Sequence, residues 1–480
     1  MNGRFQDIDF GLASAENEKT NSPDLLIHGF LDNNRYIEKI LNNHYFLIHG
    51  QKGSGKSAIA SKLEIMSEDK NMNVKIQNMS DFDYPRFEKV LPEESTKDLR
   101  NIDTWELLLS ISLFEMFSKD KETTIKKSKI TIKQIVDGLI TLGILPAENL
   151  RQILNGVTTK NYKFSAKIFS SEKTINPKDT SISTMRNTLI DALYKVRAAK
   201  KNLLIIDGLD GIISKGPRQY RVLASLIRTA SDMNRKLKDH DVDAKIVILC
   251  RTDLLDKLED PNKNKIIQDS SIELDWYQDV KDVERVNLYE LINLRASNSL
   301  KRTVNVVSEF LPIDMHHNKT TSQFLIEQTR HTPRDMVQLM NYIKEHKGNI
   351  NKDSVFNSIR AYSTKYFIEE IKDELVGFTD RGELDSLFDI FSSMGKSGFS
   401  LQDLIVRIKE RNIDLDPVPI LKSLFDCGAI ANINAMGGRY TFKYRNRRSS
   451  FDPYEKIFIH SALHHALRVG VVGGMGKDDS

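Results

Sequence analysis

The stretch YFLIHGQKGSGKSAIASKL, residues 45–63, decides the fold class of this chain. Its apolar start, residues 45–48, predicts a strand, and its second half is a helix-forming run. Between them lies Gly50-Gln-Lys-Gly-Ser-Gly-Lys-Ser57, which fits the phosphate-loop pattern G-x-x-x-x-G-K-[ST] in its required context of strand, loop and helix. The pattern predicts a nucleotide site, because glycines let backbone N–H groups surround phosphate oxygens without Cβ clashes.

The pattern also predicts roles for single residues of the loop. The helix that follows adds the positive end of its dipole to the site. Lys56 is expected to reach the β- and γ-phosphates, and the Ser57 hydroxyl to ligate Mg²⁺. The alternative is a loop of this composition that holds no ligand. The residues predicted to bind the nucleotide here are Gly50, Gln51, Lys52, Gly53, Ser54, Gly55, Lys56, Ser57 and Ala58.

A second motif, KKNLLIIDGLDGIISKG at residues 200–216, places two aspartates after a buried-strand pattern. Most apolar runs that end in Asp-Gly hold no metal. The phosphate loop earlier in the chain changes that expectation, because such ATPases hold Mg²⁺ with a carboxylate at the end of a second strand. Asp207 is therefore the predicted carboxylate of the Mg²⁺ site, acting through water.

Length and composition limit the class of protein. The chain has 480 residues with 40% hydrophobic and 28% charged residues and a net charge of +4. Two to four domains are expected, and any nucleic-acid surface must be local. Two cysteines, far apart in sequence, form neither a disulfide framework nor a zinc spacing. The N-terminus has no apolar signal core, so a soluble cytoplasmic protein without membrane contact is expected.

Strand patterns separated by helical patterns predict an α/β fold: a P-loop NTPase parallel sheet with a helical insertion, a helical lid and a C-terminal winged helix. The strands are predicted at residues 45–49, 73–78, 202–206 and 245–250. The predicted domains are an ATPase domain at 1–279 with a helical insertion at 100–185, a lid at 280–375, a winged helix at 376–470 and a flexible tail at 471–480.

Three arginines are candidates for contact with the nucleotide. Arg251 ends the strand pattern KIVILC, where a basic side chain can touch the γ-phosphate or the attacking water. Arg330 and Arg334 flank Pro333 at a predicted helix start, and an arginine in a lid behind the phosphate loop can report hydrolysis. The alternatives are a surface residue at a strand end and a proline-capped helix start with exposed arginines.

The order of the phosphate loop, LLIIDGLD, VILCRTD and TPRD resembles the STAND branch of P-loop ATPases, with neighbours among AAA+ and origin-recognition-type initiators. The resemblance implies that Asp207 is the Mg²⁺ carboxylate, Asp210 the acid that orients water, and Arg251 the arginine that ends the STAND strand. Many AAA+ motors have a glutamate after the aspartate, where this chain has Gly208. Gly211 stands where NACHT proteins often have a glutamate, and an aspartate reaches one methylene less far, so the resemblance leaves the rate of hydrolysis open.

The segments FGLASAENE and AYSTKYFIEEIKDEL are similar to those of a group of bacterial P-loop ATPases often tied to mobile elements or antiphage defence. The resemblance implies ATP and Mg²⁺ as cofactors and assembly into homo-oligomers. A neighbouring subunit then completes the site with an arginine, for which Arg218, Arg221 and Arg228 are the candidates. These three are equally explained as exposed helix positions.

The pattern of the last hundred residues predicts three helices, one at 384–394, one beginning near Ser400 and one at 417–427. A hairpin follows, with its turn at Met436-Gly437-Gly438. The third helix is poor in base-reading side chains, so specific DNA readout is not expected. Nonspecific contact with DNA, a protein-binding role and a purely structural role of the winged helix are all open. Residues 457–468 predict an amphipathic helix, with a zinc site at His460 and His464 as the weaker alternative. The residues that suit contact with phosphates are Arg439, Lys443, Arg445, Arg447 and Arg448.

The leading hypothesis is an ATP-binding and slowly hydrolysing regulatory ATPase that couples nucleotide state to DNA or a protein partner, with a role in antiphage defence. The alternative is a non-catalytic, ATP-bound scaffold that recruits an effector protein. A phosphotransferase acting on a small metabolite is disfavoured by the length and the winged helix. The sequence contains no [NT]-K-x-D guanine-reading motif, which favours ATP over GTP.

Overall fold

The computed structural model describes residues 3–90, 97–128, 130–158, 182–209, 217–315, 319–434 and 438–470. They form two compact units. Unit 1 contains the residues up to Leu31, the loop Gln51–Gly55 and the residues from Asp275 onward. Unit 2 contains Asp32–Gly50 and Lys56–Leu274.

The strands of the described residues are numbered β1 to β11 in chain order. They are β1 (Leu47–Gly50), β2 (Met72–Asn78), β3 (Thr124–Ile125), β4 (Val196–Arg197), β5 (Lys201–Asp207), β6 (Ala244–Arg251), β7 (Ser271–Leu274), β8 (Gly398–Phe399), β9 (Ile430–Ile433), β10 (Tyr440–Thr441) and β11 (Lys456–Ile459).

The α-helices of the described residues are numbered in the same way. Short 3₁₀ helices lie at Phe5–Asp7, Val283–Arg285 and Ser461–Leu463, and one π-helical turn lies at Ser363–Phe367. The α-helices are α1 (Ala15–Asn21), α2 (Pro23–His28), α3 (Tyr36–Asn42), α4 (Lys56–Asp69), α5 (Tyr84–Phe87), α6 (Lys97–Phe117), α7 (Ile132–Thr141), α8 (Leu150–Thr158), α9 (Ile182–Leu193), α10 (Pro217–Asp239), α11 (Thr252–Asp256), α12 (Lys263–Ser270), α13 (Asn287–Leu300), α14 (Val306–Phe310), α15 (Thr321–Ile326), α16 (Pro333–Lys344), α17 (Lys352–Tyr362), α18 (Ile368–Glu374), α19 (Arg381–Met394), α20 (Leu401–Glu410), α21 (Pro417–Asp426) and α22 (His464–Leu467).

Unit 2 is built on a parallel sheet of order β2-β5-β6-β1-β7. The four predicted strands are present, and the α/β prediction is confirmed. Residues 203–206 of β5 are fully buried, as expected for a parallel strand covered on both faces. The fifth strand, β7, was not predicted, because SIEL is a four-residue edge segment with a single alternation. The strand order places β6 between the phosphate-loop strand and the strand that ends at Asp207, so the three strand ends meet at one edge.

The predicted insertion of unit 2 is helical where the structure describes it. The apolar face of α6 packs against α9 and α10, and the Trp105 indole of α6 donates a hydrogen bond to the Val222 carbonyl. The stretch 119–133 is rich in lysine and contains β3, which pairs with β4 in an antiparallel ladder of two residues. Its described lysines are exposed, as a solvated face would be.

Unit 1 has a helical core to which the start of the chain contributes. Phe5, Ile8 and Phe10 are buried among side chains of α13, α16 and α17. This packing joins segments almost 300 residues apart in sequence, and the prediction of residues 1–279 as one ATPase domain did not include it. The borders of the lid and of the winged helix remain predictions.

The C-terminal part of unit 1 has the element order of a winged helix, with one strand more. Helices α19, α20 and α21 and the antiparallel pair β9 and β10 follow one another in the predicted order, whereas β8, between α19 and α20, was not predicted. The added strand β11 pairs with both β8 and β9. The prediction of a helix over residues 457–468 was wrong in its first half, because Ile457 and Ile459 alternate into the core as a strand.

None of the helices in the described ranges is long and apolar enough to span a bilayer.

Candidate functional site

The pair Ser57 and Asp207 is the centre of the candidate site in unit 2. Ser57 stands in the first turn of α4, directly after the phosphate loop, and Asp207 ends β5. The Ser57 hydroxyl donates a hydrogen bond of 2.8 Å to Asp207 Oδ2. Asp207 Oδ1 accepts a hydrogen bond of 2.7 Å from the Gly208 N–H. Two residues 150 positions apart in the sequence thus place a hydroxyl and a carboxylate where the sequence predicted Mg²⁺ ligands.

Lys56 precedes this pair and points back along the loop. Its Nζ donates a hydrogen bond of 3.0 Å to the Gly50 carbonyl at the end of β1. The contact keeps the ammonium group beside the turn of the loop, where the pattern predicts the phosphates.

Gly208 is required by the backbone and by its neighbours. Its φ is +74°, a left-handed conformation that residues with a Cβ rarely adopt. A Cβ at this position would collide with Asn78 Oδ1 and lie 2.8 Å from Ser80 Oγ. Asn78 Oδ1 is itself held by a hydrogen bond of 2.8 Å from the Ser80 N–H. A glutamate side chain, which the resemblance gives at this position in many AAA+ motors, would not fit at position 208 of this chain.

Substituting alanine at Gly208 should destabilise the carboxyl end of β5. The left-handed φ alone costs about 1–2 kcal/mol with a Cβ present. The collision adds to this cost, so hydrogen exchange of a peptide covering β5 should speed up by more than about tenfold. In an Asn78→Ala/Ser80→Ala background both close contacts are removed, and the effect of Gly208→Ala should shrink to the backbone contribution. An unchanged exchange rate in Gly208→Ala would contradict this account.

The predicted water-orienting acid, Asp210, lies outside the described residues, as does Gly211. Their roles therefore remain predictions. The candidate trans arginines lie on α10: Arg221 and Arg228 are exposed, and the side chain of Arg218 is outside the described part. These positions fit both explanations offered by the sequence.

Arg251 lies at the end of β6 and is engaged within its own segment. Its Nε and one terminal nitrogen donate to the two carboxylate oxygens of Asp253 at 2.9 and 2.6 Å. Burial raises the pKa of the Asp253 carboxyl, but the charge and hydrogen bonds of Arg251 outweigh this, so that the pKa lies below its usual value. The guanidinium is 4% exposed and is oriented by this pair.

The loop Gln51–Gly55 clusters with unit 1, where it contacts the start of α16. Gly53 has a φ of +80°, and a Cβ there would lie 3.0 Å from the Arg334 Cβ. The Arg334 N–H donates a hydrogen bond of 3.3 Å to the Gly53 carbonyl. The Trp276 indole donates one of 2.9 Å to the Ser54 carbonyl. Arg334 thus lies beside the phosphate loop, and its contact with a nucleotide remains a prediction.

The two arginines that flank Pro333 have different environments. Arg334 is partly exposed and pairs with Glu370 at 3.0 Å. Arg330 is buried, donating to both carboxylate oxygens of Asp335 at 3.0 and 3.1 Å and to Glu374 at 2.6 Å. Both of its acidic partners are buried as well. Arg330 is therefore a buried ion-pair residue of unit 1.

The basic segment near the end of the chain is partly buried. Phe442 and Tyr444 form a small core with Ala431, so these aromatic rings do not lie on the surface. Arg445 stacks on both rings at 5.3 and 5.9 Å. Arg447 pairs with Asp275 at 3.4 Å, and Lys443 donates to the Ser449 carbonyl at 2.8 Å. Of the predicted phosphate contacts, Arg439 and Arg448 are the exposed ones.

His460 belongs to a buried network and not to a helix face shared with His464. Its Nδ1 accepts from the Ala462 N–H at 3.1 Å, and its Nε2 lies 3.2 Å from both Thr329 O and the Tyr444 hydroxyl. Burial and the charge of Arg330 lower the pKa of His460 to about 3. Within the described ranges, no three His, Cys, Asp or Glu side chains form a metal-binding group.

Sequence analysis missed two residues that contact the phosphate loop, Trp276 and Glu370. Lys52 pairs with Glu370 at 3.1 Å. Glu370 lies within AYSTKYFIEEIKDEL, a segment that the resemblance singled out without giving any residue a role. No local pattern marks either residue, because their importance depends on partners more than 200 positions away.

Comparisons with known proteins match part of the chain. A sequence profile described as FunZ-associated C-terminal helical domain matches residues 286–369, a range inside the predicted lid. No curated protein sequence matches. Among solved structures, Aeropyrum pernix Orc1 in complex with DNA is similar at 12% identity and a TM-score of 0.36, covering 94% of this chain and 91% of that one. The Thermotoga maritima RuvB Holliday junction branch migration motor is similar at 13% identity and a TM-score of 0.30, covering 98% and 100%.

Likenesses at this level establish neither a family nor an activity. The parallel P-loop-type sheet of unit 2 is established by its own strand order and register.

Proposed function

We propose that this chain is a regulatory ATPase that binds ATP with Mg²⁺ and hydrolyses it slowly. The observation that carries the proposal is the 2.8 Å hydrogen bond between Ser57 and Asp207, formed where β5 ends and directly after the phosphate loop. Oxygen ligands from a hydroxyl and a carboxylate suit Mg²⁺, which binds through one or two protein oxygens, waters and phosphates. Ser57 would ligate the ion, and Asp207 would hold it through water.

The residues of the loop fit an anionic ligand. Lys56 lies beside the carbonyl of Gly50 and supplies a positive charge. The first turn of α4 begins at Lys56, so its free N–H groups add a favourable field for phosphate. Bound ATP would be held by the backbone of residues 50–58, by Lys56 and by Arg334. Mg²⁺ would neutralise charge that develops on the phosphates during hydrolysis.

Slow hydrolysis is supported by the residues around the predicted water position. Gly208 leaves no room for a glutamate next to Asp207, so Asp210 is the acid proposed to orient water. An aspartate reaches one methylene less far than a glutamate. Arg251 is proposed to contact the γ-phosphate, and its pair with Asp253 holds the guanidinium in one orientation.

The proposal includes coupling of nucleotide state to DNA or a protein partner. Homo-oligomers would place Arg221 or Arg228 of one subunit near the site of the next. Nonspecific DNA contact would use the exposed Arg439 and Arg448. A role in antiphage defence is supported by the sequence resemblance alone. A non-catalytic scaffold is the second candidate, favoured by the engagement of Arg251 with Asp253.

The test is calorimetric binding of ATP, with Mg²⁺ or with EDTA, and steady-state hydrolysis with and without single- and double-stranded DNA. Asp207→Asn keeps an oxygen that accepts the Ser57 hydroxyl but removes the charge that holds Mg²⁺. It should lower turnover by about 100-fold and weaken only the Mg²⁺-dependent part of binding. Asp191→Asn, an exposed carboxamide change on α9, is the control.

The outcomes separate the candidates. A wild-type protein that binds no nucleotide would disprove the proposal as a whole. Tight binding without turnover would support the scaffold. Turnover stimulated by DNA, and reduced in Arg439→Gln/Arg448→Gln, would support coupling to DNA.

A further inference from the structure

Glu370 of α18 is the point where two cations of the phosphate-loop region converge. Its Oε1 lies 3.1 Å from the Lys52 ammonium and 3.0 Å from the Arg334 guanidinium. The Glu370 side chain is 13% exposed, so water screens these pairs weakly. One carboxylate thus neutralises a side chain of the loop and the arginine beside it.

The contact is reinforced by the backbone. Arg334 is anchored by its N–H to the Gly53 carbonyl at 3.3 Å and by its Nε to the Ala13 carbonyl at 3.0 Å. Gly53 leaves no space between the loop and the Arg334 side chain. Loop, α16 and α18 are therefore joined at three points within unit 1: a backbone hydrogen bond and two ion pairs that share one carboxylate.

The same helix carries a second glutamate one turn further on. Glu374 follows Glu370 by four residues, a rise of about 6 Å along one helix face. It accepts a hydrogen bond of 2.6 Å from Nη1 of the buried Arg330, and the same nitrogen lies 3.5 Å from the Cys427 carbonyl directly after α21. Two adjacent turns of one helix thus contact the phosphate loop and, through Arg330, the C-terminal part of unit 1.

The helix is tied to that C-terminal part on its other side as well. The π-helical turn Ser363–Phe367 immediately precedes α18. The Ser363 hydroxyl accepts a hydrogen bond of 3.1 Å from the Ala466 N–H. His460 lies 3.2 Å from the Thr329 carbonyl, next to Arg330. The turn that leads into α18 and the segment that contains Arg330 are therefore both joined to the C-terminal part of unit 1.

We propose that Glu370 is a positioning residue, which pairs with Lys52 and Arg334 until the phosphates of a nucleotide displace it. Helix α18 then transmits this displacement to the C-terminal part of unit 1. The proposal rests on the nucleotide site proposed above. Phosphate oxygens and a carboxylate compete for the same donors, and a phosphate presents more charge and more acceptor oxygens. Two anions beside Lys52 and Arg334 repel each other, so binding favours the state in which Glu370 has moved away.

The first test compares ATP affinity in Glu370→Gln and in the control Glu369→Gln. Glu369 is on the same helix, but its side chain, which pairs with Arg381 and Lys372, is 49% exposed. Loss of the competing charge should lower the ATP Kd of Glu370→Gln by about three- to tenfold, and Glu369→Gln should bind like wild type. A Lys52→Gln background should reduce the effect of Glu370→Gln, because the two residues share one interaction.

The second test measures the effect of α18 on the C-terminal part of unit 1 by hydrogen exchange and does not depend on ATP hydrolysis. In wild type, binding of ATP should change the rate of amide hydrogen exchange in peptides covering α18, α21 and residues 456–467. Glu370→Gln without ATP should already show that change, whereas Glu369→Gln should not. A merely structural role for Glu370 would loosen α18 but leave ATP affinity unimproved.

The failures are distinguishable. If wild type binds no nucleotide, the proposed function fails and this inference with it. If wild type binds ATP, but Glu370→Gln shows equal or weaker affinity and no exchange change in α21, the displacement proposal alone is overturned.

Discussion

Lys56→Ala should lower ATP hydrolysis at least about 100-fold, the cost of losing one preorganised charge at a developing anion. The Lys56 ammonium is held beside the Gly50 carbonyl, and an alanine at this position has no charged group to place against the phosphates. ATP binding should weaken as well, because the charge contributes in both the ground state and the transition state. Steady-state turnover and calorimetric binding measure the two effects.

The matched control is Lys70→Ala. Lys70 directly follows α4 and is exposed, so its substitution changes the net charge equally without touching the loop. Circular dichroism of both variants should match wild type. Turnover within threefold of wild type in Lys56→Ala would contradict the predicted role of this lysine.

Arg330→Gln should cost about 3–5 kcal/mol of stability in unit 1, because it removes the charge that compensates two buried carboxylates. Burial raises the pKa of Asp335, and the charge and hydrogen bonds of Arg330 outweigh this effect, so the pKa lies below its usual value. Without Arg330, Asp335 and Glu374 must either take up protons or remain as unpaired buried charges. Hydrogen exchange of peptides covering α16 and α18 should accelerate 100-fold or more.

Arg381→Gln provides the comparison. Arg381 is 56% exposed and pairs with Glu369 at the surface, and such pairs contribute at most about 1 kcal/mol. The double variant Arg330→Met/Glu374→Met leaves only one orphan carboxylate and should recover part of the loss. Equal exchange rates in Arg330→Gln and Arg381→Gln would show that the buried network is not needed for stability.

Much of unit 2 was predictable from the sequence. The phosphate loop and the strands that end at Asp207 and Arg251 are local patterns: an apolar run, a turn and a helix start. Such patterns depend on residues that are close together in the chain, so they predict strands, turns and helix starts without knowledge of the fold. The hydrogen bond between Ser57 and Asp207 follows from them, since the carboxyl ends of parallel strands share one edge. Strand β7 escaped prediction because four residues give too little alternation.

Side-chain partners across long sequence separations required the tertiary structure. Arg330 and Arg334 look alike in the segment RHTPRD (residues 330–335), yet one is buried between Asp335 and Glu374 and the other lies beside Gly53. Lys443 and Arg445 look like phosphate contacts, but a backbone carbonyl and two aromatic rings engage them.

The sequence by itself therefore determined the loop between β1 and α4, the parallel sheet, and the positions of Ser57 and Asp207 at one edge of that sheet. Only the tertiary structure brought Glu370 to Lys52 and excluded a Cβ at Gly208. The reason is physical: periodicity and turn chemistry are set by neighbouring residues, whereas the charge that a buried side chain faces is set by which distant segments pack around it.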